Sequence, residues 1–327
     1  MDHEMSSITV VIVNYNTRES LRACLATVLH EAPAGVIVVD NASTDGSVDM
    51  LRSEFPWVAV QANETNCGYG AAANQAMANC TTRYALLLNA DTLLQPGALS
   101  ALTDYLDQNP QAAIAGPRLT EGDGTLQASC YPFPTPFHTF LENSKSAVFL
   151  GRRIRQRLPV IPSFYLRTWA HDRARVVPWI KGAALAVRRE AFNSVGGFDE
   201  SFFMYFEDAD LCYRLKTAGW QIHFAPVTTV VHFGGASTMQ HRAEMDVQLL
   251  ASTVEFYRRH AARFQLIPLI LVVKWLMLAK WFGAIIRRYL TQDPAKRCQI
   301  EDAITASRAI LLGHWRRQDS LLAGRKL

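Results

Sequence analysis

At 327 residues, with 49% hydrophobic and 19% charged residues, the chain is long enough for one large globular domain plus an appendage and too apolar for a disordered protein. Charge is unevenly spread: 22 Lys+Arg face 25 Asp+Glu up to Phe264, and 11 face 4 beyond it. A near-neutral body argues against nucleic acid as the main partner, whereas a basic tail beside apolar sequence points to an anionic membrane surface, with plain solvated charge as the alternative.

Met1 to Ser7 is polar and leads straight into a strand, which fits neither a signal peptide nor a transit sequence, so a cytoplasmic, reducing location is expected. Ile8–Val13 is a β-branched run, Ser20–Leu29 has helical spacing, and Val36–Val39 is a second buried strand; together they form a βαβ unit. A helix over Asp45–Glu54, a strand at Val58–Gln61, an Ala-rich helix at Gly70–Ala78 and a strand at Ala85–Leu88 continue the alternation, with a helix at Pro96–Asp107 after them. Strands this apolar are buried on both faces, as in a parallel sheet between helices. From Cys130 to Val177 the pattern fails, with several prolines and a basic cluster at Arg152–Arg157, and a partly helical excursion is expected. Order resumes with a small-residue strand at Ala183–Val187, a short helix from Glu190, the turn Gly196–Asp199 and a helix from Asp208 to Ala218. Strands at Gln221–Phe224 and Thr229–His232 and a surface helix at Arg242–Phe264 follow.

Ligands of open α/β sheets bind at the carboxyl ends of the strands, and the polar clusters fall there: Asn14-Tyr15-Asn16, Asp40-Asn41-Ala42-Ser43 and Asn89-Ala90-Asp91. Asn89 and Asp91 sit two apart at a strand end and face one way. A hard divalent cation beside a diphosphate takes one or two carboxylates from the protein, which makes Asp91 the candidate metal ligand; capping of the following helix is the plainer alternative. Asp40 can accept from a base N–H or a ribose hydroxyl, or cap its own helix. Asn66, Gly68 and Asn74 surround a glycine-rich turn before a helix N-terminus suited to phosphate. Glu207, Asp208 and Asp210 crowd three carboxylates behind an aromatic run. Desolvation and like-charge repulsion would raise one pKa and yield a base for a hydroxyl proton, unless the cluster is only an acidic helix start. His232, at another strand end, is a structural histidine or a third metal ligand. The six cysteines show no CxxC pair and no zinc spacing.

The segments Ile12-Val13-Asn14-Tyr15-Asn16, Val39–Gly46, Asn89-Ala90-Asp91, Gly196–Glu200 and Phe206-Glu207-Asp208, in this order and spacing, resemble the family 2 glycosyltransferases with the GT-A fold, the rhamnosyltransferase branch most of all. The resemblance covers roughly Ser7 to Phe264. It implies a Rossmann-like mixed α/β sheet flanked by helices, with a nucleotide-sugar site at Val13, Tyr15, Asp40, Asn66, Gly68, Asn74 and Asn89. It further implies Mg²⁺ or Mn²⁺ at Asp91 and His232 and Asp208 as catalytic base. Trp179, Lys181, Gly182 and Glu207 would stand on the phosphate and acceptor side. Asn89 departs from the stricter Asp-x-Asp pattern. The implied activity is inverting transfer of a sugar, probed first as L-rhamnose from dTDP-rhamnose, to a lipid-linked or polysaccharide acceptor of cell-surface glycan synthesis. Galactofuranose, glucose or GlcNAc transfer, and a non-catalytic nucleotide-sugar-binding protein, are the alternatives. A nucleotidyltransferase or a dinucleotide oxidoreductase would need a glycine-rich loop directly after the first strand, and Asn14–Glu19 is not one.

The expected domains are therefore a catalytic body over residues 7–264 and a basic, amphipathic helical region over 265–327. Within the latter, Leu266–Leu290 is apolar enough to consider as a membrane span. Lys274 and Lys280 interrupt it, however, and a mid-bilayer lysine costs about 3 kcal/mol. With Trp275, Trp281, Arg287 and Arg288 these lysines favour a helix lying in the interface, on the cytoplasmic face of the plasma membrane as a peripheral protein; a span and a plain packing helix are the alternatives.

Overall fold

The computed structural model describes residues 7–133, 169–234, 242–260 and 263–291, with isolated helical positions between 297 and 311. The basic cluster Arg152–Arg157 and most of the basic tail lie outside the described residues. Two compact units emerge, one from residues 7–133, 169–201 and 207–234, the other containing 202–206 and the helices from 242 onward.

In the first unit the expected alternation is present: β1 (Ile8–Asn14), α1 (Arg18–His30), β2 (Gly35–Asp40), α2 (Ser47–Glu54), β3 (Ala59–Ala62), α3 (Tyr69–Ala78), β4 (Tyr84–Asn89), β5 (Thr92–Leu94) and α4 (Ala98–Gln108). There follow β6 (Ala112–Thr120), the two-residue strands β7 (Leu126–Gln127), β8 (Cys130–Tyr131), β9 (Arg175–Val176) and β10 (Trp179–Ile180), then β11 (Ala184–Arg188), α5 (Arg189–Ser194), α6 (Glu207–Thr217) and β12 (Gln221–His232). The main sheet runs β3-β2-β1-β4-β11-β6-β12-β5. The first four strands are parallel, β11 is antiparallel to both of its neighbours, β12 is parallel to β6, and β5 closes the edge antiparallel to β12. This is the mixed sheet of the GT-A fold.

Successive strand residues serve opposite cores. Ile8, Val10, Ile12, Leu86 and Leu88 pack with Leu21, Leu25, Leu99 and Leu102 of α1 and α4, while Val11, Ala85, Leu87 and Leu185 pack with Ala72, Ala76, Leu211 and Leu215 of α3 and α6. Because both faces are covered, β1 and β4 are apolar from Val10 and Ala85 up to the polar residues Asn14 and Asn89 at their carboxyl ends. Register then aligns those ends: Asn14 pairs with Asp40, and Val13 with Asn89.

Two differences from the sequence reading stand out. The segment expected as two strands, Gln221–Phe224 and Thr229–His232, is one strand, β12, whose pairing with β6 shifts register between Phe224 and Thr229. A bulge absorbs Pro226 there without ending the strand. β6, beside it, was not anticipated.

In the second unit α7 (Arg242–His260) and α8 (Arg263–Leu290) pack on one another. α7 anchors the segment 202–206: Ser252 Oγ donates to the Met204 carbonyl at 2.8 Å, Phe206 and Phe256 rings lie 5.6 Å apart, and the Arg259 guanidinium sits over Phe202 at 5.8 Å. Leu250, Val254 and Tyr257 are buried along one side of α7 and Phe256 on another, so much of α7 is core rather than surface.

Candidate active site

At the ends of β1 and β2 the polar residues bond to one another. Asn14 Nδ2 donates to Asp40 Oδ2 at 2.7 Å and to Ser43 Oγ at 3.1 Å, and Thr17 Oγ1 donates to Asn14 Oδ1 at 2.6 Å. The Ser43 N–H reaches Asp40 Oδ1 at 2.8 Å. Asp40 is thus buried and held as an acceptor on both oxygens, with lone pairs left over for a donor from a ligand. Tyr15 is on the surface beside it and Val13 is partly covered. Asn14, Thr17 and Ser43, which fix the carboxylate, were not singled out by role in the sequence; a hydrogen-bonded Asn at a strand end leaves no periodic signal.

The glycine-rich turn is also internally braced. Asn66 Oδ1 accepts from the Gly68 N–H at 3.0 Å, and Gly68, at φ 87°, opens α3 in a conformation that favours glycine. Asn74 reaches across to the turn after α5: its Nδ2 donates to Phe198 O at 2.9 Å and to Glu200 Oε1 at 3.0 Å, and its Oδ1 accepts from the Phe198 N–H at 2.9 Å. In the protein alone, Asn74 holds the Gly196–Glu200 turn.

Asp91 and His232 meet across the β5–β12 edge, where His232 pairs with Thr92. His232 Nε2 lies 3.3 Å from Asp91 Oδ1, and Nδ1 lies 2.6 Å from Gln127 Oε1 of β7. The Gln127 carbonyl oxygen faces Nδ1 and accepts from it, and Nε2 is left turned toward the carboxylate. With a cation between them, Nε2 and the Asp91 carboxylate would both be ligands, and Gln127 would orient the ring as outer partners of metal-bound histidines do. Burial works against ionisation of Asp91, but His232 and the charge of Lys181 outweigh it and hold the carboxyl below its ordinary range. Among the described residues no three His, Cys, Asp or Glu side chains gather, so a cation here would have two protein ligands and complete its shell from a bound diphosphate. The donor set fits Mg²⁺ or Mn²⁺ on those terms. Asn89 ends β4 two residues before Asp91, its N–H donating to Ala183 O at 3.0 Å.

The three carboxylates of α6 are separated by their surroundings. Asp210 is fully buried and takes Arg214 Nε at 2.7 Å, a paired structural anion. Glu207 is buried and its Oε2 has no hydrogen-bond partner; burial first, then the charge of Asp208, raises its pKa well above the carboxylate range. Asp208 is half-buried, Oδ2 accepting from the Gly182 N–H at 2.8 Å and Oδ1 from the Ala209 N–H at 2.7 Å. Desolvation pushes it up to about 6, against those two N–H groups and Lys181. The Lys181 charge therefore acts on both Asp91 and Asp208, and its own backbone N–H is pinned to Ser129 O at 2.8 Å. Gly182 permits this approach: a Cβ there would stand 3.4 Å from that of Asp208. Trp179 stacks on Tyr131 at 4.8 Å and donates its indole N–H to Pro132 O at 2.8 Å, which fixes the strand that delivers Lys181. The chain enters α6 through Tyr205 and Phe206, both left-handed at φ 66° and 68°. Two consecutive strained aromatics directly before a carboxylate pair are the kind of stored backbone strain that clusters at functional sites.

Residues 6–251 match the family described as "Glycosyltransferase like family 2", and the chain belongs to that family. It is a glycosyltransferase, of the kind that acts on nucleotide-sugar donors in glycan biosynthesis. Over 244 residues it is 33% identical to the N-acetylglucosaminyl-diphospho-decaprenol L-rhamnosyltransferase of Mycobacterium tuberculosis H37Rv, covering 71% of this chain and 77% of that one. A shorter stretch of 58 residues, 18% of this chain and 22% of the relative, is 45% identical to the rhamnosyltransferase WbbL of Escherichia coli K12. Among solved structures, the mannosyltransferase PcManGT of Pyrobaculum calidifontis, in complex with GDP-Man and Mn²⁺, shares the fold at a TM-score of 0.52 and 18% identity, over 98% of this chain and 78% of that one.

Proposed function

We propose that the chain is an inverting, metal-assisted glycosyltransferase that moves L-rhamnose from dTDP-rhamnose to a lipid-linked glycan at the cytoplasmic face of the plasma membrane, as a peripheral protein. The observation that carries the reading is a pair of oriented carboxylates: Asp91, 3.3 Å from His232 Nε2, and Asp208, aimed by the Gly182 and Ala209 N–H groups at 2.8 and 2.7 Å. Asp91 and His232 would hold the divalent cation, which supplies charge neutralisation for the departing diphosphate. Asp208 accepts the proton of the acceptor hydroxyl as that oxygen attacks the anomeric carbon from the face opposite the leaving group, so configuration inverts. The Gly182 and Ala209 N–H groups keep the carboxylate aimed while it is ionised. Asp40 receives the nucleoside, with Val13, Tyr15, Asn66, Gly68, Asn74 and Asn89 around the donor; Trp179, Gly182 and Glu207 flank the acceptor side.

The sugar and acceptor are supported by the 33% identical relative, whose name specifies L-rhamnose and a diphospho-decaprenol glycan. Incubating the protein with dTDP-rhamnose, UDP-sugars and GDP-mannose, a GlcNAc-diphospho-lipid acceptor and Mg²⁺ tests the reading. The expected result is a rhamnosylated product whose anomeric configuration, read by NMR coupling, is opposite to that of the donor. Retained configuration would refute the single-base mechanism, and exclusive use of another donor would refute the sugar.

A further inference from the structure

α8 contains Ile267–Leu290, long and apolar enough by composition to cross a membrane. How its side chains are distributed argues for a different arrangement. Ile267, Leu271, Trp275, Leu278, Phe282, Ile286 and Tyr289 are between 42% and 84% exposed. At about 100° of turn per residue, their spacing places all seven within one sector about 100° wide, running about 33 Å along the helix. Leu269, Val273, Leu276, Met277 and Ala284 are 4% exposed or less and fall in the opposite sector. The helix therefore has two apolar faces back to back, one used inside the protein and one presented outward. Three aromatics, Trp275, Phe282 and Tyr289, recur every seventh residue on the outward face. Lys274 is exposed at its edge, Arg287 is exposed on the opposite side near the helix end, and Arg288 pairs with Glu301 at 3.0 Å.

The helix that α8 packs on is no companion for a bilayer crossing. α7 carries buried Gln248, Ser252 and Thr253, and Glu255 bonded to Arg258 and Arg259 at 2.6 and 2.7 Å. Carrying these charged and polar groups into hydrocarbon alongside α8 is strongly unfavourable. An apolar stripe of this size on a soluble surface marks an interaction site, and amphipathic aromatics with Lys274 at their edge match the headgroup boundary of an anionic leaflet. The excess of 11 Lys+Arg over 4 Asp+Glu beyond Phe264 supplies the complementary charge.

We infer that α8 lies flat in the surface of an anionic phospholipid bilayer, inserting the Ile267–Tyr289 stripe and leaving its Leu269–Ala284 face within the protein. This deepens the reading of the chain as a peripheral glycosyltransferase and rests on it for the identity of the acceptor, though not for the docking itself. Held this way, the enzyme would meet a lipid-anchored acceptor by diffusion in two dimensions.

The test is flotation of the full chain with vesicles of phosphatidylcholine alone or in equal parts with phosphatidylglycerol, for the wild type and for Leu271→Glu/Phe282→Glu. Wild-type protein is expected to float with the anionic vesicles and to be largely released by high salt. The double variant is expected to lose binding by about a hundredfold or more, since two apolar side chains that the bilayer would cover are replaced by charges. Both substitutions are at exposed positions, so an unchanged thermal melt and unchanged turnover of a water-soluble acceptor check that the fold and the enzyme survive. Retained flotation by the double variant would overturn the inference. So would a wild type that ignores vesicles and runs as a dimer dispersed by the same substitutions, which would give the stripe to a second copy. Fluorophores placed singly at 271 and 286 should show equal depth of quenching by bromolipids, whereas depths differing by about 22 Å would mean a span. Loss of flotation with turnover intact, or loss of turnover with flotation intact, separates failure of this inference from failure of the functional reading.

Discussion

Replacing Asp208 with Asn removes the proposed base while keeping its shape. In the protein both oxygens accept backbone N–H groups, from Gly182 at 2.8 Å and Ala209 at 2.7 Å. The amide can keep one of these bonds, while its NH₂ faces the other N–H, a loss of about 1–3 kcal/mol. Relief of the repulsion with Glu207 offsets part of this, so Asp208→Asn should remain folded. Catalysis should suffer far more: general-base assistance contributes about 10²–10⁴ in rate, or roughly 3–5 kcal/mol of barrier. The assay is transfer at saturating donor, with donor affinity by calorimetry and stability by urea melts run in parallel. A drop of at least a hundredfold in kcat with donor affinity within a factor of a few is expected. A folded variant slowed less than tenfold would refute the assignment.

Further outcomes follow from the same geometry. As the proposed base Asp208 would work ionised, and desolvation pushes its pKa up to about 6, so transfer should fall as pH drops through about 6, not near the ordinary 3.8; an acid limb below 5 would contradict this. Glu207 and Asp208 bind protons more tightly folded than unfolded, so stability should decline as pH rises from about 4.5 toward about 8, and Glu207→Gln should flatten that decline in melts run across this range. Gln127→Ala frees the His232 ring and should weaken the apparent Mn²⁺ affinity for donor-dependent turnover about 10–100-fold; an unchanged metal titration would show that Gln127 does not orient the ligand. Gly197→Ala forces a Cβ to 2.6 Å from Asn74 Oδ1 at φ 73°, for an expected loss of about 2–4 kcal/mol in urea unfolding, and a loss below about 1 kcal/mol would mean that the turn yields.

What could be read from sequence was what physics writes locally. The apolar strands over Ile8–Val13, Val36–Val39 and Ala85–Leu88 advertise burial on both faces, and their polar ends mark where a ligand meets the sheet. β6 was hidden because Ala112-Ala113-Ile114-Ala115-Gly116-Pro117 has the wrong composition for a strand. Its small residues make sense only in three dimensions, where Gly116 leaves room for Ile180: a Cβ would come within 2.8 Å of it. The segment Ala225–Thr228 looked like a break between strands because a bulge and a turn share proline signals. At the site, Asp91 and His232 are 141 positions apart, and only the fold shows them in contact with Gln127 behind them. The three carboxylates of α6 could not be ranked from their order; Arg214 marks Asp210 as structural, and the Gly182 N–H marks Asp208 as the oriented one. The left-handed pair Tyr205-Phe206 gives no composition signal, since neither residue favours that region.

The most direct test of the central claim, a metal-dependent nucleotide-sugar site built on Asp91, is a thermal-shift panel of nucleotide sugars with and without Mn²⁺, paired with release of nucleoside diphosphate. The account predicts stabilisation by dTDP-rhamnose that requires the metal, with slow donor hydrolysis, both lost in Asp91→Ala while the variant keeps its ligand-free melting temperature. Folded protein that responds to no nucleotide sugar, or an Asp91→Ala variant that binds and hydrolyses donor as the wild type does, would contradict it.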